Sequence, residues 1–321
     1  MIVKLKNIMN NALFSYSLYR HNNPICYHSV TKNRNDIFLD DNYIHNIYPE
    51  IFEQHIIRIK NKFEILPLEE YLDEITKKDL GTNSKITSIT FDDGYKNIIN
   101  EAYPILSSYN VPFTIFITTK LISGDLLWRD KIRIILLNDL VDDFREFLSI
   151  NSQNLFNEIN WNSFYYSTKS TDIDSKNLEY QSDLFLKEKN ISINKSIYLN
   201  ENDLNSLSVD LVSFGNHSHS HYNLASLKAS DQREEIIKAD KILSKYEDRF
   251  IKVFAVPFGG PLKYNKDTIK IVSDLDYQGI VFTKELISLK KRKKRPNNSF
   301  YLDKYNLKYT YRILPVNRKI Y

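Results

Sequence analysis

Residues 85–118 read KITSITFDDGYKNIINEAYPILSSYNVPFTIFIT. Lys85 to Phe91 is rich in β-branched residues and stops at Asp92-Asp93-Gly94, the pattern of a buried strand ending in a turn. Tyr95 to Tyr109 then reads as a helix. Val111-Pro112 leads into Phe113 to Thr118, a continuous apolar run of the kind seen in strands covered on both faces. Strand, helix and strand in succession imply a parallel pairing.

Working outward, the same alternation recurs. Ile25-Cys26-Tyr27-His28 reads as a first strand, and Ile51, Phe52, Ile56 and Ile59 fall at helical spacing behind Pro49. Farther on, strands at Val209 to Phe214, Val253 to Val256 and Gly279 to Thr283 alternate with helices near Asp231 to Tyr246 and Lys266 to Asp274. The expectation is an α/β fold with a parallel sheet, open or closed into a barrel. Reactive side chains should then lie at the carboxyl ends of its strands. From about Gly124 to Ile197 the alternation fails. Leu126 to Leu140 looks helical, and Asn151 to Asn190 is polar, Asn/Ser-rich and aromatic. The segment reads as an insertion or helical cap, or else as a disordered loop. No internal repeat is visible.

The bulk numbers exclude several classes. The 321 residues, 42% apolar and 26% charged, describe an ordinary globular chain able to bury a large core. Aromatic residues reach 13%, which suits a carbohydrate-facing cleft but equally an AT-rich coding bias. A net charge of +4 is too small to argue for nucleic acid. The basic run Lys290 to Arg295 could rest on anionic lipid or an acidic glycan, although such runs are commonly solvated loops. Cys26 is the single cysteine, so neither an intrachain disulfide nor a thiolate metal cluster is expected. Met1 to Pro24 lacks the apolar run of a signal peptide, and no stretch approaches a membrane span. A cytoplasmic protein is the default expectation.

Two constellations could carry chemistry. In Thr90-Phe91-Asp92-Asp93-Gly94-Tyr95, two adjacent carboxylates repel each other unless a cation or donors compensate. One solution leaves Asp93 to ligate a metal and Asp92 free as a base; a helix cap is the plainer alternative. In Phe214-Gly215-Asn216-His217-Ser218-His219-Ser220-His221, three of the chain's seven histidines fall together. On a helical turn, His217 and His221 would share one face and one metal, with His219 outside. An extended segment would instead aim all three the same way. A third stretch, Phe254 to Pro261, is an apolar strand running into a Pro/Gly-dense turn. Gly94, Gly215, Gly259 and Gly260 sit at these three strand ends, four of only seven glycines, which suggests backbone held close to a ligand.

Together these stretches resemble the polysaccharide deacetylase family, the NodB-homology group of carbohydrate esterases. Thr90 to Tyr95 is similar to its TFDDG motif, His217-Ser218 with His221 to its second motif, and Phe254 to Gly259 to its third. Ile25 to Val30 resembles the YHxV opening of one branch, and Tyr311 to Val316 a terminal motif. The resemblance implies residues 1–23 as an extension and 24–321 as a distorted (β/α)7-type barrel with a helical insertion at about 124–197. It also implies Zn2+, with Co2+ or Ni2+ as alternatives, on Asp93, His217 and His221, with Asp92 as general base. The reaction would remove an N-acetyl, O-acetyl or formyl group from a sugar in a polysaccharide, lipid-linked or nucleotide-linked glycan.

Two departures stand out. Ala255 occupies the position where the family commonly carries an Arg that orients the base, and Arg312 is the candidate to replace it. No histidine follows His221, and in the YHxV branch the first-strand histidine takes the acid role, which points to His28. The backbone N–H of Phe258, after Pro257, is the candidate oxyanion donor. A non-catalytic carbohydrate-binding homologue is the main rival: Ala255 favours it slightly, the intact carboxylate and histidine motifs oppose it. A glycosyltransferase would leave the histidines without a task and lacks a phosphate-cradling glycine loop.

Overall fold

The computed structural model describes residues 24–32, 46–77, 85–191, 196–260 and 262–282, and the backbone of three short strands at 286–288, 301–302 and 305–306. Residues 1–23, Thr283, the basic run 290–295 and Arg312 lie outside the described residues.

Six strands run parallel as neighbours: β1 Ile25–Tyr27, β2 Ile89–Phe91, β3 Phe113–Ile117, β4 Val212–Asn216, β5 Phe250–Ala255 and β6 Gly279–Val281. Beyond β6 the sheet continues antiparallel through β7 Leu286–Ser288 and β8 Tyr301–Leu302, while β9 Tyr305–Asn306 pairs parallel with β1 at the opposite edge. Strands next to each other in the chain thus occupy opposite edges, which curls the sheet toward closure. This curled α/β sheet with surrounding helices is the distorted barrel that the sequence implied, with its far edge antiparallel.

The apolar run of β3 is buried at every residue because helices cover the sheet on both faces. Phe91 of β2 packs between Tyr27, Phe52 and Phe113 at ring separations of 5.6–5.9 Å. Such aromatic clusters contribute about 0.5–1.5 kcal/mol per pair beyond their buried area.

Local chemistry shifts several expected boundaries. The run from Lys85 breaks at Ser88: Ile86–Thr87 pairs with Glu64–Ile65, and only Ile89–Phe91 joins the main sheet. The helix expected from Tyr95 begins later, as one π turn over Ile98–Ala102 followed by α-helix over Tyr103–Ser108. Pro104 has no N–H to donate, and the Tyr103 N–H reaches five residues back to the Ile98 carbonyl. Tyr95 itself bridges to Tyr198 instead.

Between β3 and β4 the described residues make six α-helices, the longest being Trp128–Leu137, Val141–Asn151 and Ser175–Glu188. The polar stretch after Asn151 is therefore mainly helical. Asp174 caps the helix Ser175–Glu188 by accepting from the Lys176 and Asn177 N–H groups. In this helix Lys176, Asp183, Lys187 and Glu188 face water and Glu179, Gln181 and Ser182 are buried, while Leu178, Phe185 and Leu186 join one apolar cluster with Phe144, Ile135 and, from β5, Phe254. The inserted helices are in this way packed onto the end of the sheet.

Two of the glycines at the strand ends are required by the backbone itself. A Cβ on Gly215 would sit 2.4 Å from the Phe116 ring, and Gly94 holds φ +96°, a left-handed value that side chains resist. We expect Gly215→Ala to lower unfolding free energy by about 1–3 kcal/mol through overpacking. A denaturant midpoint equal to that of the wild type would contradict this close approach.

Candidate active site

The carboxyl ends of β1, β2, β4 and β5 deliver His28, Asp92 with Asp93, His217 and Phe258 to one rim of the sheet. β3 lies between β2 and β4, so Asp93 and His217 approach each other above it. The Thr118 N–H donates to the Asp93 carbonyl at 3.3 Å, and the His217 N–H to the Ile117 carbonyl at 3.1 Å.

Asp93 Oδ1 stands 3.5 Å from His217 Nε2 and 3.3 Å from His221 Nε2. All three residues are buried, and their donor atoms lie within 4.8 Å of one another. Two donors bound tetrahedrally to a cation at about 2.0–2.2 Å sit roughly 3.3–3.6 Å apart. The measured gaps match that spacing. His217 Nδ1 is 2.8 Å from the Ala255 carbonyl. Nδ1 therefore carries the hydrogen, and the lone pair of Nε2 faces Asp93.

The segment carrying the histidines is not the helical turn that the i, i+4 spacing suggested. Residues 217–221 are irregular, bending at 219–220, with left-handed φ at Ser218 (65°) and His221 (60°). Asn216 Oδ1 accepts from the Ser218 N–H at 2.8 Å, and Ser218 Oγ accepts from the His221 N–H at 2.9 Å. These side-chain bonds reverse the chain and bring the imidazoles to a centroid separation of 4.8 Å. His219 turns away, to Thr119 Oγ1 at 2.9 Å.

Asp93 (72°) and Phe258 (64°) are also left-handed, so four of the eight non-glycine residues with positive φ among the described residues line this rim. Strain of this kind costs on the order of 1 kcal/mol per residue and persists where the surroundings enforce it. Burial alone would raise the Asp93 carboxyl, whereas the His217, His221 and His28 imidazoles, when protonated, draw it well below the usual range. Burial pushes His221 down to about 3, leaving it neutral at pH 7 as a metal ligand must be.

Beside this trio, His28 Nε2 faces Asp92 Oδ2 at 4.0 Å. Register explains the pairing. Cys26 and Tyr27 lie opposite Thr90 and Phe91, so the next residues, His28 and Asp92, meet across the strand ends. Phe258 follows Pro257 at the end of β5 and packs its ring on His221 at 4.7 Å.

Sequence reasoning missed a second layer from the helix Trp128–Leu137. Trp128 Nε1 donates to the His221 carbonyl at 2.8 Å. Arg129 stacks over Trp128 and Tyr165 at 4.8 and 4.2 Å. Asp130 is fully buried and paired with Arg133, which also reaches the Tyr165 hydroxyl at 3.0 Å. Burial, and then the Asp93 charge, raise the Asp130 carboxyl well above its ordinary value. The signal was available: Trp128-Arg129-Asp130-Lys131-Ile132-Arg133 packs four charges into one helix that also carries one of only two tryptophans.

A family model described as polysaccharide deacetylase matches residues 79–142 and 175–280, a little over half of the chain, and leaves out 143–174 within the inserted helices. Among solved structures, the chain is similar to a deacetylase, PplD, from Streptococcus pyogenes in complex with acetate. That likeness has 18% identity and a TM-score of 0.52, over 83% of this chain and 85% of that one. It is also similar to IcaB from Ammonifex degensii, at 13% identity and TM-score 0.50 over 89% and 91% of the two chains. A de-N-acetylase from Aggregatibacter actinomycetemcomitans gives 13% identity and TM-score 0.50 over 81% and 87%. Among curated proteins, none matches the chain by sequence.

His221 and the equally buried His55, also held down to about 3, give a pH test. Unfolded, these imidazoles take up protons below about pH 6.5, whereas folded they stay neutral. The unfolded state then binds more protons, so stability should fall as pH drops from 7 to 5. Urea midpoints of the metal-free protein that stay constant over this range would contradict the burial of these rings.

Proposed function

Because the chain belongs to the polysaccharide deacetylase family and is a carbohydrate-deacetylating hydrolase, we propose that it removes the N-acetyl group from an amino sugar with a divalent cation on Asp93, His217 and His221. What carries this reading is the fit of three buried donors to one cation beside the separate Asp92–His28 pair. Zn2+ suits two imidazoles and a carboxylate best, with Co2+ or Ni2+ as alternatives. The cation, when bound, supplies Lewis acidity toward the attacking water and the acetyl carbonyl.

The chain's own groups divide the remaining work. Asp92 accepts the proton of the attacking water as that oxygen meets the carbonyl carbon. His28, on the other side of the 4.0 Å gap, returns a proton to the departing sugar nitrogen. The Phe258 N–H donates to the carbonyl oxygen as negative charge develops there. The Ala255 carbonyl keeps His217 in its ligating tautomer, so a backbone group at the position of the missing arginine still serves the site. Arg312, the candidate for that arginine's role, lies outside the described residues. Among the described residues, no helix is long and apolar enough to cross a membrane.

Two variants separate the roles. Asp92→Asn should retain bound metal and lose roughly 10²–10⁴-fold in kcat for acetate release from an N-acetylhexosamine oligomer, the usual contribution of a general base. His217→Ala should lose the metal together with the activity. Wild-type turnover in Asp92→Asn would remove the base from this scheme. Absence of acetate release from the metal-loaded wild type across N-acetylated sugars would favour a non-catalytic binding protein.

A further inference from the structure

The rim holds a second set of metal-binding donors that the deacetylation scheme does not use as such. Cys26 and His28 are two apart on an extended strand, so their side chains leave the same face. Cys26 Sγ lies 4.0 Å from His28 Nδ1, and His28 Nε2 lies 4.0 Å from Asp92 Oδ2. One donor atom from each of Cys26, His28 and Asp92 falls within 4.8 Å of the other two. Cys26 and Asp92 are buried, while the His28 side chain keeps 16% exposure and opens the group to solvent. Cys26 is also the chain's only thiol, and hydrolysis gives it no task.

We propose that Cys26, His28 and Asp92 form a second site for a soft divalent cation, such as Cd2+ or Zn2+, whose occupation switches the deacetylase centre off. The donor set, one thiolate, one imidazole and one carboxylate, is that of a zinc or cadmium site and is a poor match for Mg2+ or Ca2+. Three protein donors also leave a fourth position for water. With metal–sulfur and metal–nitrogen bonds near 2.3 and 2.0 Å, tetrahedral donors sit about 3.3–3.7 Å apart. With one nitrogen of His28 as ligand the three donors lie within 4.8 Å of one another, and they close to that spacing by side-chain shifts of about an ångström. Binding transfers the thiol proton to solvent and leaves the sulfur as thiolate. It also engages the Asp92 carboxylate and a nitrogen of His28, the groups assigned above to accept and return the reaction's protons. The inhibitory consequence rests on that assignment; the site itself does not.

The test begins with the metal-free full-length chain titrated with Cd2+ and read by the ultraviolet thiolate-to-cadmium charge-transfer band and by equilibrium dialysis. Wild type should bind two equivalents and show the band. Cys26→Ala should bind one equivalent, show no band and keep basal deacetylase activity at one equivalent of metal. His217→Ala, which removes a ligand of the other site, should keep the band, so failure of the primary-site assignment and failure of this one give different patterns. With activity as readout, the Zn2+ concentration that inhibits by half should rise at least tenfold in Cys26→Ala. A single equivalent in the wild type, or no charge-transfer band, overturns the site. Equal inhibition of wild type and Cys26→Ala overturns the switch.

Discussion

A carboxylate taken out of water needs compensation, and the rim of this sheet is organised around that need. Asp93 is buried, and two imidazole nitrogens stand 3.3 and 3.5 Å from one of its oxygens. Those distances are long for strong hydrogen bonds and correct for donors that share a cation. The proposed ion would relieve the desolvation cost of Asp93, fix both rings, and leave the adjacent Asp92 as a separate carboxylate. Strand register, left-handed turns and the inserted helices all act to keep this one geometry.

The inserted helices stabilise the site from above. Trp128 fixes the backbone after His221, and its ring meets Phe258, which in turn packs on His221. Lower down, Glu179 of the helix Ser175–Glu188 accepts from Lys120 after β3 and from Lys131, each at 2.8 Å, and from the Tyr222 hydroxyl. One buried carboxylate thus ties the loop after β3, the inserted helices and the histidine segment together. Removing one partner of such a network leaves an uncompensated charge, which is why its members act as a unit. The left-handed residues at the rim are held in place by this scaffold.

Much of this was legible in the sequence because the deciding signals are local. The β-branched run into Asp92-Asp93-Gly94 and the apolar run of β3 mark two adjacent strands, since a covered parallel strand is built mainly from apolar and β-branched residues. The histidine spacing located the second strand end correctly, but its geometry was not legible. Spacing of four fits a helical turn, while the observed reversal depends on Asn216 and Ser218 side chains bonding the backbone. The π turn was hidden for a similar reason: Pro104 disturbs hydrogen bonds several residues before itself. The second layer of Trp128, Arg129, Asp130 and Arg133 was signalled only by charges clustered beside a tryptophan; where it lies depends on how that helix docks, a long-range event. The polar look of residues 151–190 left helical cap and disordered loop both open, because few buried apolar positions mark its helices.

The central claim is that Asp93, His217 and His221 converge on one cation. Its most direct measurement is anomalous X-ray scattering at the zinc edge from crystals of the zinc-loaded protein. The account predicts an anomalous peak within about 2.0–2.2 Å of an Asp93 carboxylate oxygen, His217 Nε2 and His221 Nε2. A peak bound elsewhere, with these three side chains contacting only one another, would contradict it.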